Sequence, residues 1–505
     1  MSRIKSKGIN NSQAHDHPSD RLSSRMTEKR GRTRTPHQVV AIIGGGFSGA
    51  SVAWHLHDAA PGAQHIVMIE PHEEIGRGLA YATSDPSHRI NVPATRMNIG
   101  ADHETHFHDW LMAQDYLAAD PAAKIDAERL YPTRRAFGDY VKSQIKSLGS
   151  ALTHIKSKAV ALERHGNGWR IRCANGDVIG ADIAVLAVCH TPPDTPASLA
   201  TLHAHQRFFA DPWRADALES IGQNDEVLIV GTGLTMADTV ASLDRLGHRG
   251  TILAISRRGL RSQPHTRDVA DVYGDFLQPP PPRTALDLLA RIRGTIHDAA
   301  QDGQPWQAVI DQVRFQGQNI WRALPYEQRE RLLRHLRPFW DTHRFRTAPQ
   351  VHEVLERRIA EGTLVLRAAS VRAGASRDKK IPLELRARYS REWKEQSFDA
   401  VILATGPAHG TVFDHDPLLA QMKAAGLARP DSLKLGIAVD DDGRAISNEG
   451  VSNSLYIAGP LARATFGELM GVGDLARYAR AIAGHILLQE KALRETHIPA
   501  CEPAP

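Results

Sequence analysis

The sequence predicts an α/β chain with two parallel-sheet units, an antiparallel meander and a block of inserted helices. Three observations predict it. An apolar strand runs through a glycine turn into an amphipathic helix at VVAIIGGGFSGASVAWHL, residues 39–56. The same order recurs at EVLIVGTGLTMADTVASL, residues 226–243. Between them, KSKAVALERHGNGWRIRCANGDVIGADIAVLAV reads as a three-strand meander followed by a strand, with turns at HGNG and ANGD.

Composition bounds the possibilities. The chain has 505 residues, 42% hydrophobic and 24% charged, enough for two or three cores. No apolar run approaches the roughly 18 residues of a membrane span. The net charge is +5, but residues 1–36 alone hold nine Lys/Arg and three Asp/Glu. The rest of the chain is therefore close to neutral, which argues against a folded nucleic-acid surface. The basic stretch has no apolar segment of signal-peptide type and reads as a disordered tail. Cys173, Cys189 and Cys501 are far apart and form no CxxC, so a reducing, cytoplasmic setting is expected. Cys189 beside His190 reads as a strand-end substitution.

Gly44, Gly46 and Gly49 form GxGxxG. The first turns the chain out of the strand, the second lets a pyrophosphate approach the backbone, and the third lets helix and strand pack closely. The phosphate then lies at the positive end of the helix. The next strand, HIVMIE, ends in Glu70, 21 residues past Gly49. A carboxylate there accepts ribose hydroxyls and repels a 2′-phosphate, so FAD or NAD is expected. The loop that follows, PHEEIGRGLAYATSDPSHRINVPATRMNIG, is too rich in Gly, Pro and Asn for a crossover helix. Such a loop suits a flavin, so the first dinucleotide is expected to be FAD.

In the second unit Gly231 and Gly233 fill the first two glycine positions and Met236 the third. The next strand, TILAISRRG, ends in Ser256, Arg257 and Arg258 where the first unit has Glu70. Guanidinium forks there suit a 2′-phosphate, so the second nucleotide is expected to be NADPH. The fold class is thus two Rossmann-like dinucleotide-binding domains. SFDAVILATGPAHG supplies a strand and Ala404-Thr405-Gly406, which is expected to close the first domain. SNSLYIAGPLARATFGELMGVGDLARYARAIAGHIL supplies a last strand, a glycine turn and a long helix. Pro460 stands where an acidic residue is usual, which leaves the ribityl contact to Glu468, to Asp474 or to neither. The expected domains are a tail at 1–36, an FAD domain at 37–205 and 397–490, an NADPH domain at 206–396 and a flexible tail at 491–505. Within the NADPH domain, Pro279 to Pro282 form a stiff joint before a helical insertion at about 283–346, with helices over TALDLLARIRGTIHDAA and YEQRERLLRHLRPFWDTHRF. The Arg/His density there (His335, Arg337, His343, Arg344, Arg346) offers either an anion site or a solvated face. His103, His106 and His108 lack a fourth ligand, so no metal is expected.

The stretches IIGGGFSGA, GRGLAY, HRINVPATRMNI, YPTRRAFGDYV, VLIVGTGLTMADTV and ISRRGL, with WDTHRFRTAP at 340–349, resemble the FAD/NAD(P)-binding family that includes the bacterial YdhS proteins. The resemblance runs from about residue 38 to 485. More distantly the chain is similar to class B flavoprotein monooxygenases, including N-hydroxylases. The resemblance implies that FAD is held by Gly44, Gly46, Gly49 and Glu70, with the Arg89–Met97 loop near its ring; Phe47, Ser48, Arg77, Gly78, Asn91, Val92, Met97, Val160, Thr405, Gly406, Gly459 and Pro460 are further expected cofactor-binding residues. It implies NADPH at Gly231, Gly233, Thr235, Ser256, Arg257 and Arg258. It assigns no catalytic side chain. The function expected is an NADPH-dependent flavin monooxygenase that oxygenates a small nucleophile such as an amine through a C4a-(hydro)peroxyflavin, with O2 as co-substrate. The alternatives are an NADPH:acceptor reductase and a nucleotide-binding redox sensor acting on a partner. No membrane or nucleic-acid partner is expected.

Overall fold

The computed structural model describes residues 38–126, 128–188, 195–214, 217–267, 270–374, 380–406 and 409–496. The basic tail, Cys189, His190 and Cys501 lie outside the described residues. The strands in chain order are β1 (Gln38–Ile43), β2 (Gln64–Ile69), β3 (Leu152–Ile155), β4 (Ala159–His165), β5 (Gly168–Cys173), β6 (Val178–Ala181), β7 (Ile183–Leu186), β8 (Phe208–Phe209), β9 (Val227–Val230), β10 (Ile252–Ser256), β11 (Leu364–Ala373), β12 (Ile381–Ala387), β13 (Lys394–Phe398), β14 (Ala400–Leu403), β15 (Arg444–Ser447) and β16 (Gly450–Ile457).

The first sheet has the order β15-β16-β7-β1-β2-β3. β1 lies between β2 and β7 and runs parallel to both. β3 and β16 extend it in parallel, and β15 closes one edge antiparallel. Val40–Ile43 are buried in succession rather than alternately, as expected for a parallel strand covered on both faces. Helix Phe47–Ala59 covers one face and packs against helix Val472–Thr496, so the two ends of the chain build one domain. The expected meander is present as β4-β5-β6, with His165 opposite Gly168 at the first turn.

The second sheet has the order β13-β12-β11-β10-β9-β14-β8. It corrects the expected domain boundary. β14, the strand before Ala404-Thr405-Gly406, does not return to the first sheet; it pairs in parallel with β9 and β8. The 3-10 turn Ala197–Leu202 also belongs here, because Ser198 Oγ donates to Val371 O at 2.8 Å and Leu199 is buried in this sheet's core. The second domain therefore takes in residues from 197 to about 406.

The reason is a repetition in the architecture. The end of β11 with β12 and β13 forms an antiparallel meander, and β14 follows it as β7 follows β6. The hydrogen bonds repeat as well. Asp182 exchanges two bonds with Val39, N–H to O at 2.9 Å and N–H to Oδ2 at 2.7 Å. Asp399 exchanges the same two with Glu226, at 2.9 and 2.8 Å. Each meander thus delivers an aspartate that pins the last parallel strand beside the glycine-bearing one. The chain returns to the first domain after β14. There, Gln421 on helix Pro417–Ala424 accepts from Leu162 N at 3.0 Å and donates back to Leu162 O at 3.2 Å.

The insertion between β10 and β11 is helical as expected. Its first helix is Ala285–Gln301, capped by Thr284, whose Oγ1 accepts from Asp287 N at 3.0 Å. Trp306–Phe315 and Gly317–Ala323 follow. The long helix expected over 326–345 is broken into Tyr326–His335 and Arg337–Arg344. Pro338 explains the break, since proline is tolerated in a first turn and not in a helix interior. The last helix runs on to Thr496, into the stretch expected as a flexible tail.

Candidate dinucleotide sites

β1 delivers Gly44 into a conformation with φ of 107°, and Gly44 N–H donates to Ile69 O at 2.9 Å. A Cβ at Gly44 would lie 2.8 Å from Ala187 O, and one at Gly49 would overlap Gly44 O. Only glycine fits either position. Gly46 caps helix Phe47–Ala59 through its backbone, and its would-be Cβ meets only Gly78 Cα at 3.5 Å. The walls there are bare backbone, and the first-turn amides of Phe47, Ser48 and Gly49 have no partner within the helix. This cradle suits a pyrophosphate. Phe47 is buried and packs against Phe137, 5.7 Å between centroids, so it holds the helix start in place.

Glu70 follows β2 directly and is buried. Gly45 N–H donates to its Oε2 at 2.8 Å and His72 N–H to its Oε1 at 3.1 Å. His72 Nδ1 also contacts Oε1, at 2.5 Å, so Oε2 is the oxygen that keeps a lone pair for a ribose hydroxyl. Arg77 forms ion pairs with Glu74 at 3.0 Å and with Asp139, which fixes it beside Gly78. Asn91, Val92 and Met97 lie on the expected loop, and Met97 is buried. Val160 is exposed on β4. Gly459, φ 100°, closes the cradle from the far end of the chain; its Cβ would lie 2.8 Å from Ser48 Oγ. Pro460 begins the next turn.

The second cradle repeats the first. Gly231 N–H donates to Ile255 O at 2.8 Å, and a Cβ at Gly231, φ 125°, would overlap Ala404 O. Gly233 caps helix Leu234–Arg245 with open space around it, and Thr235 is half-buried in its first turn. Met236, in the third glycine position, is buried. Ser256 shapes the turn: its Oγ accepts from Thr232 Oγ1 and Gly259 N, both at 2.9 Å.

Arg257 and Arg258 meet Arg334, Arg337, Arg388 and Thr405 around an open pocket of about 780 Å3. The Arg258 guanidinium lies 4.9 Å from the Phe339 ring centroid. Thr405, expected at the first dinucleotide, therefore stands at the second, with Gly406 next to it. Thr232, Arg334 and Arg388 were not singled out in the sequence. Thr232 sits between two marked glycines and was legible there. Arg334 lies on an insertion helix and Arg388 after β12, and neither carries a local signal.

Glu468 and Asp474 do not replace the acid missing at Pro460. Arg344 donates to Glu468 Oε1 from Nε at 2.9 Å and from a terminal nitrogen at 2.7 Å. Arg314 donates to Asp474 at 3.1 Å. These contacts bind the insertion to the first domain. Arg344 and Arg346 are buried in ion pairs, Arg346 with Asp311 at 3.0 Å, so neither is a free anion receptor. His106 Nδ1 contacts the Tyr140 hydroxyl at 2.9 Å.

The two domains also meet along the expected flavin loop. His88 Nε2 contacts Ser242 Oγ at 2.9 Å, Arg134 pairs with Asp238 at 2.6 Å, and Arg245 pairs with Asp85 at 3.0 Å. His265 Nε2 donates to Asn91 O at 2.9 Å. Burial, its largest cause, lowers the pKa of His265 to about 4, and that of His55 likewise. Both are neutral when folded, whereas an unfolded histidine takes a proton near pH 6.5. Their contribution to stability is complete above pH 6.5 and is lost as pH falls toward 4. Denaturant titrations should show a loss of roughly 2 kcal/mol per histidine at pH 5. In His265→Gln, whose amide can still reach Asn91 O, one of the two increments should disappear. An unchanged pH slope would refute the assignment.

Residues 41–191 match the model of a family described as FAD-NAD(P)-binding. No curated protein sequence matches the chain. Among solved structures, the chain is similar to the ornithine hydroxylase of Pseudomonas aeruginosa at 18% identity, with a TM-score of 0.61 over 89% of this chain and 99% of that one. It is similar to L-lysine 6-monooxygenase of Pseudomonas syringae at 16% identity, TM-score 0.60, over 91% of this chain and 100% of that one. It is similar to the desferrioxamine-pathway cadaverine monooxygenase of Erwinia amylovora, solved with FAD, at 13% identity, TM-score 0.59, over 90% and 95%. The stretch carrying the first cradle is thus similar to the FAD-NAD(P)-binding family, and the chain shares the fold of these three enzymes across nearly its whole described length.

Proposed function

We propose that the chain is an FAD- and NADPH-dependent monooxygenase that oxygenates an amine nitrogen. One observation carries this reading: two glycine cradles of the same construction end in opposite charges, Glu70 at the first and an arginine cluster at the second. A ribose without phosphate suits the first, and a 2′-phosphate suits the second. The three enzymes of similar fold named above, acting on ornithine, lysine and cadaverine, support the oxygenase over a plain reductase.

Bound flavin, once reduced, supplies the reaction with O2; that chemistry is the cofactor's. The protein's part is placement. Helix Phe47–Ala59 offers amides to the pyrophosphate, Glu70 orients the ribose, and the cross-domain pairs at Asp238 and Asp85 fix the second cradle against the flavin loop. The insertion, tied down through Glu468 and Asp474, excludes water from the same side.

Replacing Arg257 and Arg258 together by Glu should weaken NADPH binding by about 100-fold or more, since each charge-assisted bond contributes about 1.5–3 kcal/mol. NADH binding should change little. Equal losses for both would remove the 2′-phosphate assignment. The function itself is tested on purified, FAD-loaded protein by measuring hydroxylamine formed per NADPH oxidised in air. Stoichiometric product establishes the oxygenase. NADPH oxidation that requires an added acceptor and yields no oxygenated product establishes a reductase instead.

A further inference from the structure

The insertion surrounds a second space, which shares Leu333, Arg337 and Asp341 with the open pocket around Arg257 and Arg258. Its helices surround a cavity of about 400 Å3 walled by Leu288, Ile292, Val313, Ile320, Trp321 and Trp340. This is within the range of roughly 300–1,000 Å3 found for small-molecule sites. The wall toward the first domain is the segment from Arg463 to Met470. Trp321 is fixed against it: its Nε1 donates to Ala464 O at 2.9 Å, and a Cβ at Gly467 would lie 2.6 Å from the indole. The indole's one polar atom is thereby satisfied by backbone, and the rest of the ring is apolar wall.

This segment also connects the cavity to the first cradle. It begins just after Gly459 and Pro460, and Gly459 packs on Ser48 at the start of helix Phe47–Ala59. The same stretch of chain therefore leads out of the flavin cradle and lines the cavity. The carboxylates that reach the cavity already have partners. Glu468 is held by Arg344, and Asp341 lies 3.4 Å from Arg337. A second ammonium group would find apolar carbon and the cationic side chains of Arg293, Arg337 and Arg463 rather than an open carboxylate.

We propose that this cavity is the substrate site and that it takes a primary amine with a long apolar body, an alkylamine of octyl length, rather than a short diamine. The choice of an amine rests on the monooxygenase reading; the choice of an apolar body rests on the cavity wall alone. Burying the chain gives the affinity, and the amine end is left for the cofactor side.

The test titrates the FAD-loaded protein with n-butylamine, n-hexylamine, n-octylamine and 1,4-diaminobutane, read by tryptophan fluorescence. Affinity should tighten about fourfold for each added methylene, from about 0.8 kcal/mol per buried CH2, while the diamine gives no saturable signal. Ile292→Trp and Leu332→Trp each add bulk at a half-buried wall position. In each variant that retains its FAD, the gain with chain length should vanish. Affinity that is flat with chain length, or unchanged in both variants, overturns the proposal. The two readings fail separately. Octylamine that binds with this chain-length dependence but is never oxygenated removes the function and leaves the cavity. Diamine that turns over while octylamine does not bind removes the cavity assignment and leaves the function.

Discussion

Arg344→Met is expected to destabilise the protein by about 3–5 kcal/mol, the range found when one partner of a buried ion pair is removed. Arg344 is 6% exposed, donates twice to Glu468 and lies 3.7 Å from Asp474. Burial lowers its pKa, and the charge persists because two carboxylates face it. Methionine would leave Glu468, 9% exposed, without its cation. The same pair is the seam between the insertion and the start of helix Val472–Thr496. Local loosening should therefore come first, seen as faster proteolysis within 285–344 than elsewhere. Adding Glu468→Leu should recover most of the loss, because an apolar pair of similar volume replaces an ion pair at little cost. Asp474 keeps Arg314 in both variants. The readout is the denaturant midpoint, since a chain with several cores need not unfold in one step. A single variant as stable as the parent would show that the seam is held by something else.

Gly231→Ala is expected to abolish reduction by NADPH while FAD stays bound. Two effects act together. The backbone at φ 125° is one that side chains rarely adopt, and strain of that kind costs about 1–3 kcal/mol. The new methyl would also overlap Ala404 O, which β14 holds rigidly between β8 and β9. The turn has to open, and the helix behind it loses its aim at the pyrophosphate. NADPH affinity should fall by more than tenfold, measured by anaerobic titration of flavin bleaching. FAD content should match the parent, because Gly44 and its cradle are untouched. Loss of FAD together with NADPH would mean that the two domains do not fold independently.

The sequence carried the local units well and their placement less well. Each glycine turn was legible because it demands a residue without a Cβ at a fixed point between strand and helix. The charges at Glu70 and Arg257–Arg258 were legible because each ends the strand that follows. The position of β14 was not legible. The reason is that β7 and β14 end alike, each setting a carbonyl over the first glycine of its own turn. What separates them is the preceding meander with Asp182 or Asp399. The second meander has no glycine-rich turns to announce it. Arg334 and Arg388 escaped for a different reason: each is an ordinary surface arginine until tertiary packing brings it beside Arg258. Glu468 and Asp474 stood as open candidates because Arg344 and Arg314, which tie them to the insertion, lie more than a hundred residues away in the chain.

The repetition of the two sheets conceals an asymmetry in time. All strands of the second sheet lie between Phe208 and Leu403, so it can close as soon as that stretch has left the ribosome. The first sheet cannot. One edge of β7 waits for β16, and one face of helix Phe47–Ala59 waits for helix Val472–Thr496. Some 260 residues separate Leu186 from Gly450, or roughly 13–50 s of synthesis at about 5–20 residues per second. Through that interval the nascent chain presents an apolar, hydrogen-bond-hungry border to its surroundings. The domain encoded first is finished last.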